Sequence, residues 1–576
     1  MEHDLTDLFR RRSLLAIAGM GTAAAAMRSD ARNMARDGQP AAIAMGPHDA
    51  SAPVVSDRRT LAAAAVVPGA RRYLQEGKRS GSWIWAAGDF AARVASDPLQ
   101  GLYIAHTTVA AREGAWAREW DSVAGWPEWF GARADDAGFD NGAAIQAALD
   151  LCPTVLLGAG RYHIRSGLRI TQNGTRLIGA GITQTDQGDN DRSTEIVCSS
   201  ATETIIQIGS DSKSQPHQLI ECIQMRDFTV RRAVAPFVAP SGLEGAIGIA
   251  LRWCVNCHIE RVFSIDSARG WFFYGTIENY VSACSALRAI AGSTPANDFF
   301  IGFHLDYNAP LGANGGNASL YFDHCRAFGG FGKGTPPLAY SAGMRTDGGW
   351  VDLYINAFET GTLHYGIHGN GDGVAARGDA VRTEDLIINN CVLDPGYLAA
   401  IRLEKGGSGT AIQIANTYCA VSPGGACISL SDLRGSVSLT GNQCITGAPG
   451  GTGLSATNVT NLRATANIYT RLRQPVALEH VTGFHIQDTI QLFDAPNNYP
   501  AVAIIACRRG RIDCIIGGEP DSAGAGVAMR GSDHIEVNCT AIDPAVPEHG
   551  RKLTAESRTI STAGPFGSTC VATGIL

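Results

Sequence analysis

At 576 residues the chain is long enough for several ordinary domains or for one extended repeat array. Gly contributes 68 residues, well above its usual share of about 7%, while only 18% of residues are charged, a balance of many turns and few charged helical faces that suits an all-β solenoid. A net charge of −7, with no Lys/Arg cluster interleaved with aromatics, excludes a general nucleic-acid binder, and no run of about 18 apolar residues is present to span a membrane.

The N-terminus reads Phe9-Arg10-Arg11-Arg12-Ser13-Leu14-Leu15 and continues as an Ala/Gly-rich apolar run to Ala26. A twin-arginine pair, a short apolar stretch and small residues at Ala24–Ala26 predict a Tat-type export signal over residues 1–27. Export places the protein in the periplasm or outside the cell. Residues 28–70, rich in Ala, Pro, Asp and Arg and without periodicity, read as a linker. Residues 71–125 carry Trp83, Trp85, Tyr103, Trp116 and Trp120 and read as a small N-terminal module. Its aromatics either cover the first exposed edge of a solenoid or offer flat faces to a ligand.

From Trp126 to Gly181 the pattern changes. Asp140 and Asn141 are good N-cap residues, and Ala144, Ile145, Ala148 and Leu149 follow at helical spacing. Three brief apolar runs come next: Thr154–Leu157, Leu168–Ile170 and Arg176–Ile178. One short helix feeding many short strands is how a solenoid begins. Trp129-Phe130-Gly131-Ala132, Ala134-Asp135-Asp136-Ala137-Gly138, Ala144-Ile145-Gln146-Ala147-Ala148 and Leu177-Ile178-Gly179-Ala180-Gly181 together resemble the opening of the pectate-lyase-like superfamily of right-handed parallel β-helices. That group includes phage tailspikes, polysaccharide lyases and polygalacturonase-type hydrolases. The loop departs from the usual GDGxxDD, reading ADDAGFDN. The resemblance implies a right-handed parallel β-helix over residues 126–545 with a short N-terminal capping helix. It also implies a polysaccharide partner, and makes the module at 71–125 a cap or a sugar-binding lead-in.

Between Leu386 and Val537 the strands repeat. They begin near Leu386, Ile412, Val437, Leu462, Phe484, Ile512 and Ile535, a period in the range of solenoids. Apolar residues alternate within each unit, so one set faces inward. Asn390, Asn416, Asn442, Asn467 and Asn538 follow the strand starts and predict a column of laddered amides at the turns. The 15 cysteines include one CxxC, Cys254 and Cys257, without a second ligand pair for zinc. The 25-residue separations Cys419/Cys444 and Cys514/Cys539 predict stacked buried thiols. After about Asp543 the pattern fades into a tail or cap.

Polar residues depart most from repetition between Asp306 and Asp385. In Trp350–Asn356 the alternation puts Asp352, Tyr354 and Asn356 on the face opposite Val351, Leu353 and Ile355. Asp347 precedes this strand, Glu359 follows it, and Asp323 lies on a preceding rung. Rungs stack about 4.8 Å apart, so carboxylates on neighbouring rungs reach the separations of about 5–9.5 Å that glycosidases use. The favoured expectation is glycoside hydrolysis by Asp352 and Glu359, with Asp347 or Asp323 as tuner or alternative partner. β-Elimination on a uronate is the second reading. It needs a base and a cation for the uronate carboxylate, and His364, Tyr365, His368 and Asn370 with Arg345, Arg377 and Arg382 offer them. A third reading is a non-catalytic polysaccharide binder or surface protein. Trp350, Tyr354 and the run Trp271–Tyr274 are candidates for stacking on sugar rings, with core packing the alternative for the Trp271 run. No cofactor is expected. Asn370-Gly-Asp372-Gly lacks EF-hand spacing and identifiable further oxygen ligands, so calcium would enter only with lyase chemistry. A homo-oligomer, a trimer among the options, stays open.

Overall fold

The structure, a computed structural model, describes residues 52–183, 192–211, 219–238, 245–289, 299–308, 317–329, 340–371, 383–407, 409–447, 450–492, 499–517, 527–542, 551–556 and 570–571. The expected export signal lies outside the described residues. The chain forms two compact units, one containing the described residues up to 94 with 102–119, the other 95–101 with 120 onward.

The smaller unit is a five-stranded sheet in the order Val54–Val55, Arg71–Leu74, Gly81–Ala87, Gly114–Arg118, Tyr103–Ile104. Leu61, Leu74, Trp83, Trp85, Ile104 and Trp116 form its core. This corrects two expectations. Val54 and Val55 pair with Tyr73 and Leu74, and Leu61 is buried, so the module begins near residue 54 and the predicted linker to 70 is too long. Trp83, Trp85 and Trp116 are inside, because a sheet this small needs large aromatics to build any core. Their faces are not offered to a sugar.

The larger unit opens with the helix Gly142–Leu151, which buries Ala144, Ile145, Ala148 and Leu149 as the spacing predicts. Asn141 stands at its N-cap with no side-chain bond to the helix. It accepts instead from Arg133 N and donates to His163 O, tying the helix start to the first coil. From there the chain winds as a parallel β-helix, each rung contributing a strand to three sheets. One rung shows the plan: Leu353–Asn356 in the first sheet, Glu359–Gly361 in the second, Leu363–Asn370 in the third, then Asp385–Asn389 back in the first.

The corner between the first and second sheets is two residues long and explains much of the sequence. Its first residue is left-handed in Asp227, Arg261, Ala283, His324, Ala357, Asn390, Asn416, Gly441 and Ala466, a conformation that Gly and Asn adopt most cheaply. Its second residue points inward and is buried: Cys284, Cys325, Phe358, Cys391, Thr417, Asn442, Asn467, Asp488, Cys514 and Cys539. The predicted Asn column is therefore two columns. Asn390 and Asn416 turn the chain at the surface. Asn442 and Asn467 form an internal ladder, in which Thr417 N donates to Asn442 Oδ1, Asn442 N and Nδ2 donate to Asn467 Oδ1, and Asn467 N and Nδ2 donate to Asp488 Oδ1. Tyr469 OH donates to the other Asp488 oxygen at 3.2 Å. Burial raises the Asp488 carboxyl to about 6.

Cys419 and Cys444 are register partners, as the spacing predicts. Register also corrects the repeat. Phe484 pairs with Gly510, not Ile512, and Gly510 with Ile535. A Cβ at 510 would meet the Phe484 ring at 2.0 Å, so the large ring takes the room that an apolar side chain at 510 would need. At the far end, Arg551–Glu556 pairs antiparallel with Asp533–Ile542 and covers the edge of the last rung.

Candidate active site

The strands of the third sheet in the central rungs are Phe299–Asp306, Tyr340–Asp347, Leu363–Asn370 and the C-terminal part of Val392–Glu404. Near the end of each, two residues at i and i+2 project outward together. In register these are His304, Arg345, His368 and Arg402 in one row, and Asp306, Asp347, Asn370 and Glu404 in the next. The sequence signal is a repeated basic-x-acidic or amide triplet: His304-Leu-Asp306, Arg345-Thr-Asp347, His368-Gly-Asn370, Arg402-Leu-Glu404. Parallel strands about 4.8 Å apart convert that signal into a wall with a row of imidazoles and guanidiniums beside a row of acceptors along the helix axis.

Hydrogen bonds organise the wall into two units of the same design. In the first, His304 Nε2 lies 2.8 Å from Asp347 Oδ2, and Arg345 donates to Asp347 from Nε at 2.9 Å and from Nη2 at 2.7 Å. In the second, His368 Nε2 lies 3.0 Å from Glu404 Oε1, and Arg402 donates to Oε2 from Nη2 at 2.9 Å and Nε at 3.2 Å. Tyr340 joins the two. Its hydroxyl lies 2.7 Å from His368 Nδ1, and the Arg345 guanidinium sits 4.9 Å from its ring centre. Tyr365 packs 4.5 Å from His368 and receives a 3.4 Å contact from Arg402 Nη1.

The electrostatics follow from these contacts. Burial pushes the Asp347 carboxyl up, but the bonds from His304 and Arg345 outweigh it and hold the group well below the usual carboxylate range. The bond from His368, opposed by burial and reinforced by Arg402, holds Glu404 down to about 2. Burial keeps the His304 imidazole below its ordinary value, with Asp347 only partly offsetting it, and raises the Tyr340 phenol. An ionised Glu404 accepts only, so His368 carries its proton on Nε2 and its Nδ1 receives the Tyr340 hydroxyl. Hydroxyl, imidazole and carboxylate form a directed relay.

Five predicted residues, Arg345, Asp347, Tyr365, His368 and Asn370, are brought together here. Others are not. Asp352 is a left-handed residue before its strand, touched by Ser319 Oγ at 3.4 Å. Glu359 is exposed at the start of a second-sheet strand, in register with Arg326 and Val392. A four-residue strand spans about 13 Å, and the corner at 357–358 then sends Glu359 onto another sheet, so the expected carboxylate pair is not built. Asp323 accepts from Asn356 Nδ2 at 2.6 Å and faces His324, a surface ladder on the first sheet. His364 stands beside the wall, its Nδ1 3.0 Å from Ser341 Oγ, with burial lowering its pKa. Trp350 is fully buried and pairs in a bridge with Thr383, which corrects its reading as an exposed platform. Trp271 and Phe273 are core residues. Tyr354 ends a face-to-face stack with Tyr321, Tyr280 and His258, centroids 4.7–4.9 Å apart. Ring faces already covered by the next rung leave edges to solvent, so the stack stabilises the first sheet and offers no broad sugar platform. Arg377, Arg382 and Asp372 lie outside the described residues.

Tyr340, His304, Arg402 and Glu404 are site residues that sequence reasoning did not single out. A metal finds little here. The oxygens of Asp347 and Glu404 are engaged by histidine and arginine, and among the described residues no group of three or more His, Cys, Asp or Glu side chains is arranged to hold an ion.

No family model matches the chain, and no curated protein matches it. Solved structures do. The gp42 tailspike of an Acinetobacter phage is 11% identical at TM-score 0.40, covering 90% of this chain and 78% of that one. Tailspike protein 3 of bacteriophage CBA120 is 14% identical at TM-score 0.41, covering 82% and 75%. The A-module of a mannuronan C-5 epimerase from Azotobacter vinelandii is 16% identical at TM-score 0.37, covering 71% and 98%. These likenesses carry nothing about the chain's chemistry, and its parallel β-helix architecture rests on the strand register described above.

Proposed function

We propose that the protein is an exported enzyme acting on an acidic polysaccharide, cleaving it by β-elimination beside a uronate carboxylate. The observation that carries this reading is the Tyr340–His368–Glu404 relay next to the half-exposed guanidinium of Arg402. A proton next to a carboxylate is hard to remove while the carboxylate stays charged. Pairing it with Arg402 lowers that barrier, and the long Nη1 contact to Tyr365 is weak enough to be exchanged for a sugar carboxylate.

In the proposed reaction the Tyr340 oxygen takes the C5 proton while its own proton moves to His368 Nδ1. The C5–H electron pair becomes the C4–C5 double bond, the C4–O bond breaks, and the leaving oxygen takes a proton from Tyr340. His368 then returns the stored proton to Tyr340. Glu404 fixes the imidazole tautomer and stabilises the transient imidazolium.

Hydrolysis by paired carboxylates, the favoured expectation from sequence, fits less well. Asp347 and Glu404 lie two rungs apart, about 10 Å, near the separation used in inverting hydrolysis. That mechanism needs one of them to hold a proton near neutrality, and both are held ionised. Polygalacturonate, alginate and hyaluronan, incubated with the protein, separate the readings. Elimination yields an unsaturated product with ultraviolet absorbance. Hydrolysis yields reducing ends without it, solvent deuterium at C5 without cleavage marks epimerisation, and a binder changes nothing. Among the described residues no helix is long and apolar enough to cross a membrane. Export is tested by fractionating cells that carry the chain with Arg10–Arg12 intact or replaced by Lys.

A further inference from the structure

The two His–carboxylate–Arg units, one built on Asp347 and the other on Glu404, differ in what meets the second imidazole nitrogen. In the second, His368 Nδ1 receives the Tyr340 hydroxyl at 2.7 Å. In the first, His304 Nδ1 is buried and has no hydrogen-bond partner among the described residues. Asp347 is ionised and accepts from Nε2, so the proton of the neutral ring sits on Nε2 and Nδ1 presents a bare lone pair. A buried acceptor left unpaired costs about 1–3 kcal/mol, and a protein retains such a group only where something compensates it.

The surroundings restrict what can pair with it. Phe272 meets the imidazole edge-on at 5.3 Å and is itself flanked by Arg252 and Arg269, each 5.1 Å from its ring centre. A carboxylate offers no hydrogen to Nδ1, and an ammonium would be repelled by three nearby guanidiniums. A neutral hydroxyl matches that lone pair, since it can give its hydrogen to Nδ1 without bringing a charge beside the guanidiniums. His304 and His368 lie two rungs apart, about 10 Å along the axis, with Arg345 between them.

We propose that the His304–Asp347–Arg345 unit is a second sugar-binding position, where His304 Nδ1 accepts a hydroxyl of a sugar neighbouring the one that reacts. This rests on the polysaccharide reading above and deepens it. Substrate would be recognised by a carboxylate at Arg402 and an unsubstituted hydroxyl three rungs toward the N-terminus, about 14 Å away. His304 is then a positioning residue.

The test uses the full chain and whichever of the three polymers the wild-type protein cleaves. His304→Phe keeps the ring's bulk but loses the acceptor. His304→Gln can still donate to Asp347 and offers a carbonyl acceptor. Circular dichroism and thermal melting establish that both fold. The expected result is a KM raised roughly tenfold or more for His304→Phe, the scale of one hydrogen bond in a closed site, with kcat much less affected and most of the loss restored by His304→Gln. In the ¹⁵N-histidine-labelled wild-type protein, adding polymer should shift the His304 Nδ1 resonance toward the hydrogen-bonded range. An unchanged KM for His304→Phe, equal losses of kcat in both variants, or an Nδ1 signal already hydrogen-bonded without polymer each overturns the inference while leaving the cleavage reading intact. Should wild-type protein process none of the polymers, the functional reading fails and this position fails with it.

Discussion

The rungs from Ala411 to Gln491 and the rungs just before them share a backbone plan but invest their polar chemistry in opposite places. In the later rungs it is internal, in the Thr417–Asn442–Asn467–Asp488 ladder. The outward third-sheet positions there hold Ser429 and Ser431, then Ser455 and Thr457. In the central rungs the inward corner position holds Cys325, Phe358 and Cys391, while the outward positions hold His304, Arg345, His368, Arg402 and their acceptors. One region joins rung to rung through buried amides inside the coil, the other places its polar groups on the outer side of the third sheet, where His304, Arg345 and His368 are themselves buried. The inward side chains of a solenoid keep its register, and the outward ones are free to acquire chemistry.

Substitutions can separate these two investments. The largest effect is expected for Tyr340→Phe and His368→Gln, which should lower kcat by about 10²–10⁴ with melting temperature little changed, measured by product absorbance and calorimetry. Arg402→Ala should lower kcat/KM by roughly 10–100-fold, the scale of one charge-assisted hydrogen bond, and the loss should shrink as salt rises if the lost contact is electrostatic. Asn467→Ala should act on the other side of the comparison. It strands Asn442 N and leaves Asn442 Nδ2 with only Ile414 O to donate to, and chemical denaturation should show a loss of about 1–3 kcal/mol, with the activity of the folded fraction unchanged.

Asp488→Asn should show a pH-dependent gain. The folded carboxyl titrates at about 6 against an ordinary 3.8, so its contribution is fully present below 3.8 and is lost as pH rises through 6. An amide escapes that loss, and the variant should be more stable than wild type above pH 6 by about 1–3 kcal/mol, with no gain at pH 4. Glu404 has the opposite sign: its stabilisation is present above its ordinary value of 4.5 and disappears as pH falls toward 2. The smallest effect is expected for Asp352→Asn and Glu359→Gln. Both should cleave at the wild-type rate with stability changed by less than about 0.5 kcal/mol.

Much of the fold was legible in the sequence because the interior repeats. Alternating Leu386/Ile388, Ile412/Ile414 and Val437/Leu439, the thiols Cys419 and Cys444, and the apolar helix face report inward positions that stack with little variation. Where one large side chain takes its neighbour's space the period misleads, as with Phe484 and Gly510. The site was harder to read because loops of differing length separate its rows. His304 to Arg345 is 41 residues, Arg345 to His368 is 23 and His368 to Arg402 is 34, so no period aligns them and only the paired register does. His368 and Arg345 drew attention through their composition. Tyr340 did not, since its partner lies on the next rung, 28 residues away.

The most direct measurement compares wild-type protein and Tyr340→Phe on a cleaved acidic polysaccharide, following ultraviolet-absorbing product and new reducing ends together. Wild type should release both in equal amounts, and Tyr340→Phe should release almost neither while remaining folded. Reducing ends without the absorbing product, or full turnover by Tyr340→Phe, would contradict a relay that moves a proton through Tyr340 and His368.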